Sequence, residues 1–229
     1  MTYKPLFMEK KTATTAKPAS IGGTHKEEVR LRVIEQAMRM FQAHGIKSVT
    51  MDSIADALKM SKRTLYELFA DKAALLLAGL RLQDERKERC MQERLAETDN
   101  VLEIILGEFA DSMRMFSGIN PDFFIELHKY PAAVAYFEKR SREHEAAAVA
   151  FLQRGVAQGF FRADVNFTLV YRQIARTLNY RAMEEIGRGC PLKSLFYNIV
   201  IVYIRGCATP EGARYMDNIL EKILQAEQL

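Results

Sequence analysis

Thr50-Met51-Asp52-Ser53-Ile54-Ala55-Asp56-Ala57-Leu58-Lys59-Met60-Ser61-Lys62-Arg63-Thr64-Leu65-Tyr66-Glu67-Leu68-Phe69-Ala70-Asp71-Lys72 is the stretch that decides the fold of this 229-residue chain. Thr50, Ser61 and Asp71 each carry a side-chain oxygen able to accept from an orphan backbone N–H, so each sits where a helix starts. Thr50 precedes a short helix, Met51 to Leu58, with Met51, Ile54, Ala55 and Leu58 facing inward. Lys59-Met60 makes a short turn. Ser61 opens Lys62 to Phe69, apolar along Leu65, Leu68 and Phe69 and polar at its start. Asp71 opens Lys72 to Leu95, whose latter half, Asp84 to Arg94, is dominated by charge and reads as a solvated or domain-bridging helix.

Ahead of this stretch a longer helix begins near Thr24 or His25. Glu27 and Glu28 sit in its positive first turn, Leu31, Ile34, Ala37, Met38 and Phe41 recur on one face, and Gly45 ends it as a left-handed cap. A long helix, a short helix, a tight turn and a second short helix with a polar start form the layout of a helix-turn-helix DNA reader. Eight or nine residues make a rod of roughly 13 Å, which suits a major groove about 12 Å wide. Lys62, Arg63 and Thr64 lie beside Ser61 in the first turn, where side chains reach base edges and backbone N–H groups meet phosphate. Arg63 has the fork to take guanine bidentately, Lys62 does so less rigidly, and Tyr66 and Lys72 suit phosphates. Two plainer readings stand beside these: Lys62 and Arg63 as a solvated pair, and Tyr66 as a half-buried packing residue.

The residues Ala37 to Phe41, Gly45, Val49 to Ala55, Ser61 to Phe69, Lys72 and Leu75 together resemble the N-terminal domain of TetR/AcrR-type transcriptional regulators, over roughly residues 28 to 76. The resemblance implies that Thr50, Tyr66 and Lys72 grip the phosphate backbone. It implies that Ser61, Lys62, Arg63 and Thr64 face the groove, and that Phe41, Ile54, Ala55, Leu65 and Phe69 hold a three-helix core. Two positions depart from the family pattern: Met60 and Arg63 stand where many members have Gly, which implies a less tight turn and one further base-reading candidate.

The charge distribution points the same way. Residues 1 to 80 carry 13 Lys and Arg against 8 Asp and Glu, whereas the rest carries 20 against 21, so the excess cation is an N-terminal property. Residues 1 to 24, with Lys4, Lys10, Lys11 and Lys17 against Glu9, read as a flexible basic tail. It either brushes phosphate nonspecifically or is a solvated extension.

Beyond residue 95 periodicity alone is available. It predicts helices from Val101 to Gly118, from Pro121 until Pro131 breaks it, from about Ser141 to Gln158, from Phe167 to Ile186, from Leu192 to Arg205 and from Pro210 to Gln228. The family resemblance places an effector cavity among the middle helices. Phe109, Met113, Phe116, Phe123, Phe124, His128, Tyr130 and Phe137 form an aromatic and Met-rich set that suits a small apolar or aromatic effector; an aromatic stripe at helical spacing is also what plain core looks like. His128 near Tyr130 is the polar anchor candidate, or a structural histidine.

The run Ile199 to Ile204 is apolar all round, so its outer side needs a cover. A second copy of the chain supplies one in a four-helix bundle through Ile174, Leu178, Phe196, Ile199, Val200 and Tyr203. DNA geometry asks for the same homodimer, because one short helix makes few base contacts and two half-sites lie about 34–36 Å apart.

Other classes lack their residues. No contiguous apolar run comes near the about 20 residues a membrane span needs, and Cys90, Cys190 and Cys207 form no CxxC pair. His144-Glu145 begins a zinc-protease pattern, but Ala148 stands where the second His belongs; Gly187-Arg188-Gly189 follows a helix, and no Gly-x-Ser-x-Gly occurs. The expectation is an all-α, cytoplasmic, non-enzymatic transcriptional regulator with no cofactor and no metal, built as a tail (1 to 24), a helix-turn-helix domain (25 to 72) and a helical effector-binding and dimerisation domain (73 to 229). It binds double-stranded DNA as a ligand-responsive repressor on a palindromic operator. The alternative is a partner-binding scaffold or regulator of the same fold without a small-molecule inducer, which a closed and fully packed middle region would favour.

Overall fold

The structure is a computed structural model and describes residues 25–177 and 192–227. Its helices in chain order are α1 (His25–His44), α2 (Met51–Ala57), α3 (Lys62–Leu68), α4 (Lys72–Glu97), α5 (Val101–Ser117), α6 (Pro121–Leu127), α7 (Pro131–Ala157), α8 (Phe167–Thr177), α9 (Leu192–Cys207) and α10 (Pro210–Glu227). Among the described residues the only pairing of extended backbone is an isolated bridge between Phe161 and Ala208. The chain is all-α, as its periodicity requires.

The helix starts follow from their caps. Thr50 Oγ1 accepts the Ser53 N–H at 3.0 Å and Ser53 Oγ accepts the Thr50 N–H at 3.0 Å, a reciprocal pair that satisfies two orphan donors of α2. Ser61 Oγ accepts the Thr64 N–H at 3.1 Å to open α3, and Asp71 Oδ1 accepts the Ala74 N–H at 2.7 Å to open α4. Gly45 leaves α1 at φ +80°. One boundary differs from expectation. Pro131 does not break the chain and delay the next helix to Ser141; it is the first residue of α7, where its missing N–H would have been unpaired anyway.

Two apolar cores divide the molecule. The first gathers Val33, Ala37 and Phe41 of α1, Ile54 and Ala55 of α2, Leu65 of α3, and Leu75, Leu76 and Leu80 of α4. Phe123 and Leu127 of α6 and Ala133 of α7 complete it, so the reading motif is finished by residues far along the chain. This core runs on past Lys72 into the first three turns of α4. The second core joins Val101, Leu102, Leu106, Phe109 and Met113 of α5 to Leu152 of α7, Phe167 of α8, Ile201 and Ile204 of α9, and Met216, Ile219, Leu220 and Ile223 of α10.

Beyond Leu80, α4 holds no buried residue and is tied instead by charge. Arg86 pairs with Glu35 of α1, Arg94 reaches Asp111 at 2.7 Å and Glu108 at 3.3 Å on α5, and Asp84 takes both the Tyr136 hydroxyl at 2.6 Å and Arg140 on α7. Burial and the bond to Asp84 push the Tyr136 phenol up to about 12, so it donates at all physiological pH. The bridging reading of this helix is the one the fold takes.

Of the predicted subunit contacts, Ile174, Ile199, Val200 and Tyr203 are half-buried. Leu178 and the side chain of Phe196 lie outside the described residues. In the apolar run Ile201 and Ile204 enter the second core, while Val202 on α9 is 62% exposed, as is Leu169 on α8.

Close packing of α1 on α4 rests on Gly79, where a Cβ would lie 2.2 Å from Met38 Sδ and 2.3 Å from Met38 Cγ. Gly79→Ala is expected to lower stability by about 1–3 kcal/mol through overpacking. In denaturant unfolding the double variant Gly79→Ala/Met38→Ala should cost less than the sum of the single changes, since one substitution makes the room the other needs.

Candidate nucleic-acid interface

Leu65 is fully buried, which fixes how α3 is turned: its opposite side, from Ser61 to Thr64 and on to Tyr66 and Glu67, is exposed. The Arg63 side chain is 90% exposed and Tyr66 is 50% exposed, so half of the tyrosine lies open to solvent and half is covered by its neighbours. The far end of α3 is held by Arg30 of α1, which donates to the Leu68 carbonyl at 3.1 Å and lies 4.2 Å from the centre of the Phe69 ring.

The polar groups on this face bond to one another. Lys62 Nζ lies 2.6 Å from Asp52 Oδ2 on α2, Arg63 Nε donates to Glu67 Oε1 at 2.9 Å, and the Ser61 and Thr64 hydroxyls are 2.8 Å apart. The hydrogen bond and charge of Asp52 raise the Lys62 pKa, keeping it cationic. Thr50, exposed at the head of α2, uses its oxygen for the helix cap and keeps a hydroxyl hydrogen to give.

Lys72 is placed differently from the rest. Its ammonium donates to the carbonyls of Ile46 at 2.8 Å and Val49 at 2.7 Å, with Lys47 O at 3.5 Å, closing the turn between α1 and α2 from below. Partial burial lowers its pKa, and the negative charge of Glu126 opposes that shift. From the other side Glu126 of α6 grips the same turn, its Oε2 accepting the Lys47 N–H at 2.7 Å, and the N–H of Asn120, the α6 N-cap, donates to the Gln42 carbonyl near the end of α1 at 2.7 Å. Neither Asp52 nor Glu126 was predictable as a partner, because both contacts join separate helices. The Arg63–Glu67 pair, four residues apart on one helix, was readable from spacing.

The turn before α3 also resolves where the family's glycine is missing. Lys59, not Met60, takes the left-handed conformation, at φ 51°.

The predicted effector residues fall into two groups. Phe109 and Met113 belong to the second core, with Phe109 edge-on to Tyr197 of α9 at a centroid distance of 5.8 Å. Phe124, Tyr130 and Phe137 pack instead against the first core, as does the buried Phe123, and His128 is half-buried at the end of α6. Nothing is described of the Phe116 side chain. A surface groove of about 200 Å³ lies elsewhere, between α1 and α4, lined by Ile34, Met38, Arg39, Leu82 and Arg86 among others. Among the described residues no three His, Cys, Asp or Glu converge as a metal set, and no helix is long and apolar enough to cross a membrane.

A short helix exposing a polar face beside a capped partner helix, both seated on a longer helix, defines a helix-turn-helix DNA-binding protein. Residues 33–78 match the family described as bacterial regulatory proteins, tetR family. The chain is 28% identical over 154 residues to the HTH-type transcriptional repressor KstR2 of Mycobacterium tuberculosis, spanning 65% of this chain and 76% of that protein. The solved structure of the ketosteroid transcriptional regulator KstR2 of Mycobacterium tuberculosis shares the fold at a TM-score of 0.51 and 24% identity, over 79% of this chain and 95% of that one. The TetR family protein CprB of S. coelicolor A3(2) does so at 0.61 and 19%, over 87% and 98%. The helix-turn-helix segment of this chain is thus similar to that of tetR family regulators, and the likeness to these repressors supports a DNA-binding transcriptional regulator.

Replacing Lys72 by Met strands two close carbonyl oxygens of the α1–α2 turn, so Lys72→Met is expected to cost about 1–2 kcal/mol of stability in denaturant unfolding, with no DNA present. Lys59→Gly relieves the left-handed strain and is expected to add about 1 kcal/mol in the same measurement.

Proposed function

We propose that the chain acts as a homodimeric repressor whose two α3 helices enter successive major grooves of a palindromic operator and leave it when an apolar effector binds. One observation carries this reading: α3 buries Leu65 completely while Arg63 and Tyr66 stand in solvent on the opposite side. Arg63 and Lys62 then read base edges, the Ser61 and Thr64 hydroxyls and Thr50 contact the flanking backbone, and Tyr66 donates to a phosphate. Lys72 supports the backbone grip by holding the turn that presents Thr50. The exposed Leu169 and Val202, next to Ile174, Ile199, Val200 and Tyr203, suit a face covered by a second copy. Such a protein works where chromosomal DNA is, in the cytoplasm.

The effector reading rests on α6. Its Phe123 and Leu127 sit in the first core while Glu126 bonds the turn that leads to α2 and Asn120, its N-cap, bonds the end of α1, so a ligand that parts α6 from α5 or α7 shifts the DNA-binding helices. Flat apolar molecules suit the group formed by Phe124, Tyr130 and Phe137 beside His128, a class that the name of the ketosteroid regulator also suits. The burial of Phe109 and Met113, 2% and 3% exposed, favours a second reading in which the effector half is a packed scaffold for a protein partner.

Binding to a duplex enriched from a random-sequence pool should weaken steeply with salt, with a log–log slope of about −0.9 for each phosphate engaged. Arg63→Ala is expected to lower affinity for that duplex by about 1–3 kcal/mol and relax its sequence preference, while Tyr66→Phe weakens binding without changing preference. Unchanged affinity in both variants would overturn the assignment of α3. Release of the duplex by flat apolar compounds separates the two effector readings, since a packed scaffold is insensitive to them.

A further inference from the structure

From Thr50 to Lys72 the chain carries four cations and four carboxylates, so the reading unit has no net charge. The Lys72 ammonium is turned inward onto carbonyls, and both cations at the start of α3 are already matched by carboxylates. A DNA reader built only for affinity would leave those charges bare, because free cations are what release counterions from the duplex. The two pairs differ in kind. Arg63 and Glu67 share a helix, and the Arg63 side chain, 90% exposed, can swing away without disturbing anything else. Lys62 is tied across the corner between helices: it is the first residue of α3, and Asp52 is the second residue of α2. Both side chains are more than half exposed, at 60% and 53%, and an exposed pair contributes little to stability.

We propose that Asp52 is a positioning residue for DNA reading, holding the Lys62 ammonium at the α2–α3 corner so that arbitrary phosphates cannot take it. The inference rests on the proposal that α3 faces the groove. A phosphate that draws Lys62 away leaves the Asp52 carboxylate bare beside another anion, and like charges at that distance repel. A base pair presenting an acceptor next to an amine, as guanine and cytosine do in the major groove, satisfies the ammonium and the carboxylate together. Asp52 thereby weakens binding to the wrong sequence more than to the right one, which is how specificity is gained from a repulsive element.

The test is a double-mutant cycle on a scrambled 40-base-pair duplex across a salt series, using full-length wild type, Asp52→Asn, Lys62→Met and the double variant. Asp52→Asn is expected to tighten binding severalfold at low salt and to steepen the log–log slope by about 0.9 per subunit on the duplex, one more phosphate each. In the Lys62→Met background the same change should alter neither. Equal steepening in both backgrounds would show a through-space charge effect, and none in either would show an idle surface pair; each overturns the proposal. Asp52→Glu, which keeps a carboxylate within reach, should restore the wild-type slope, and this separates positioning from a general weakening of α2. If α3 does not face the groove, the fault shows independently, as Arg63→Ala leaving affinity for the enriched duplex unchanged.

Discussion

The turn from Gly45 to Val49 is held from two sides, and the rest of the molecule is arranged around that grip. Lys72, at the first position of α4, closes the turn's carbonyls from below, while Glu126 and Asn120 of α6 bond its N–H side and the end of α1. The turn delivers Thr50, whose reciprocal bonds with Ser53 start α2, and α2 in turn carries the carboxylate that meets Lys62 on α3. α4 and α6 are therefore joined to α3 through this turn and α2, by hydrogen bonds and one ion pair. Gly45 suits the place on two grounds: its φ of +80° is left-handed, and a Cβ there would come within 3.2 Å of both Asp122 and Glu126.

The same constraint explains why the first apolar core does not close on its own. One long and two short helices bury little surface by themselves, and Phe123, Leu127 and Ala133 join the same core from much later in the chain. The helix-turn-helix and the later helices α6 and α7 thus share one core. The second half of α4 contributes no apolar burial, and its pairs with Glu35, Asp84's partners on α7, and the acids of α5 set its direction. Polar ties of this kind have defined geometry and can be exchanged at little cost, which suits a helix that links two units.

Legibility in the sequence followed the range of the interaction. Thr50, Ser61 and Asp71 were readable as caps because a cap is made within three residues, and the all-α character was readable because helical period repeats every turn. Pro131 misled because proline is equally at home in breaking a helix and in beginning one, and only the chain before it decides. The aromatic set from Phe109 to Phe137 was readable as apolar but not as two groups: its members lie on three helices whose faces turn toward different cores. Lys72 shows the limit most plainly. Its side chain was marked as functional by pattern, yet its hydrogen bonds run to carbonyls about twenty-five residues earlier in the chain.

By itself the sequence determined the all-α character, the caps of α2, α3 and α4 and the exposed polar start of α3, since all of these depend on residues within a turn or two of one another. Tertiary structure alone decided that α6 completes the DNA-binding core, that Lys72 and Glu126 clamp one turn, and that Lys62 is matched by Asp52. Those contacts join groups whose separation along the chain carries no periodic trace, and only the packing of whole helices brings them within hydrogen-bonding reach.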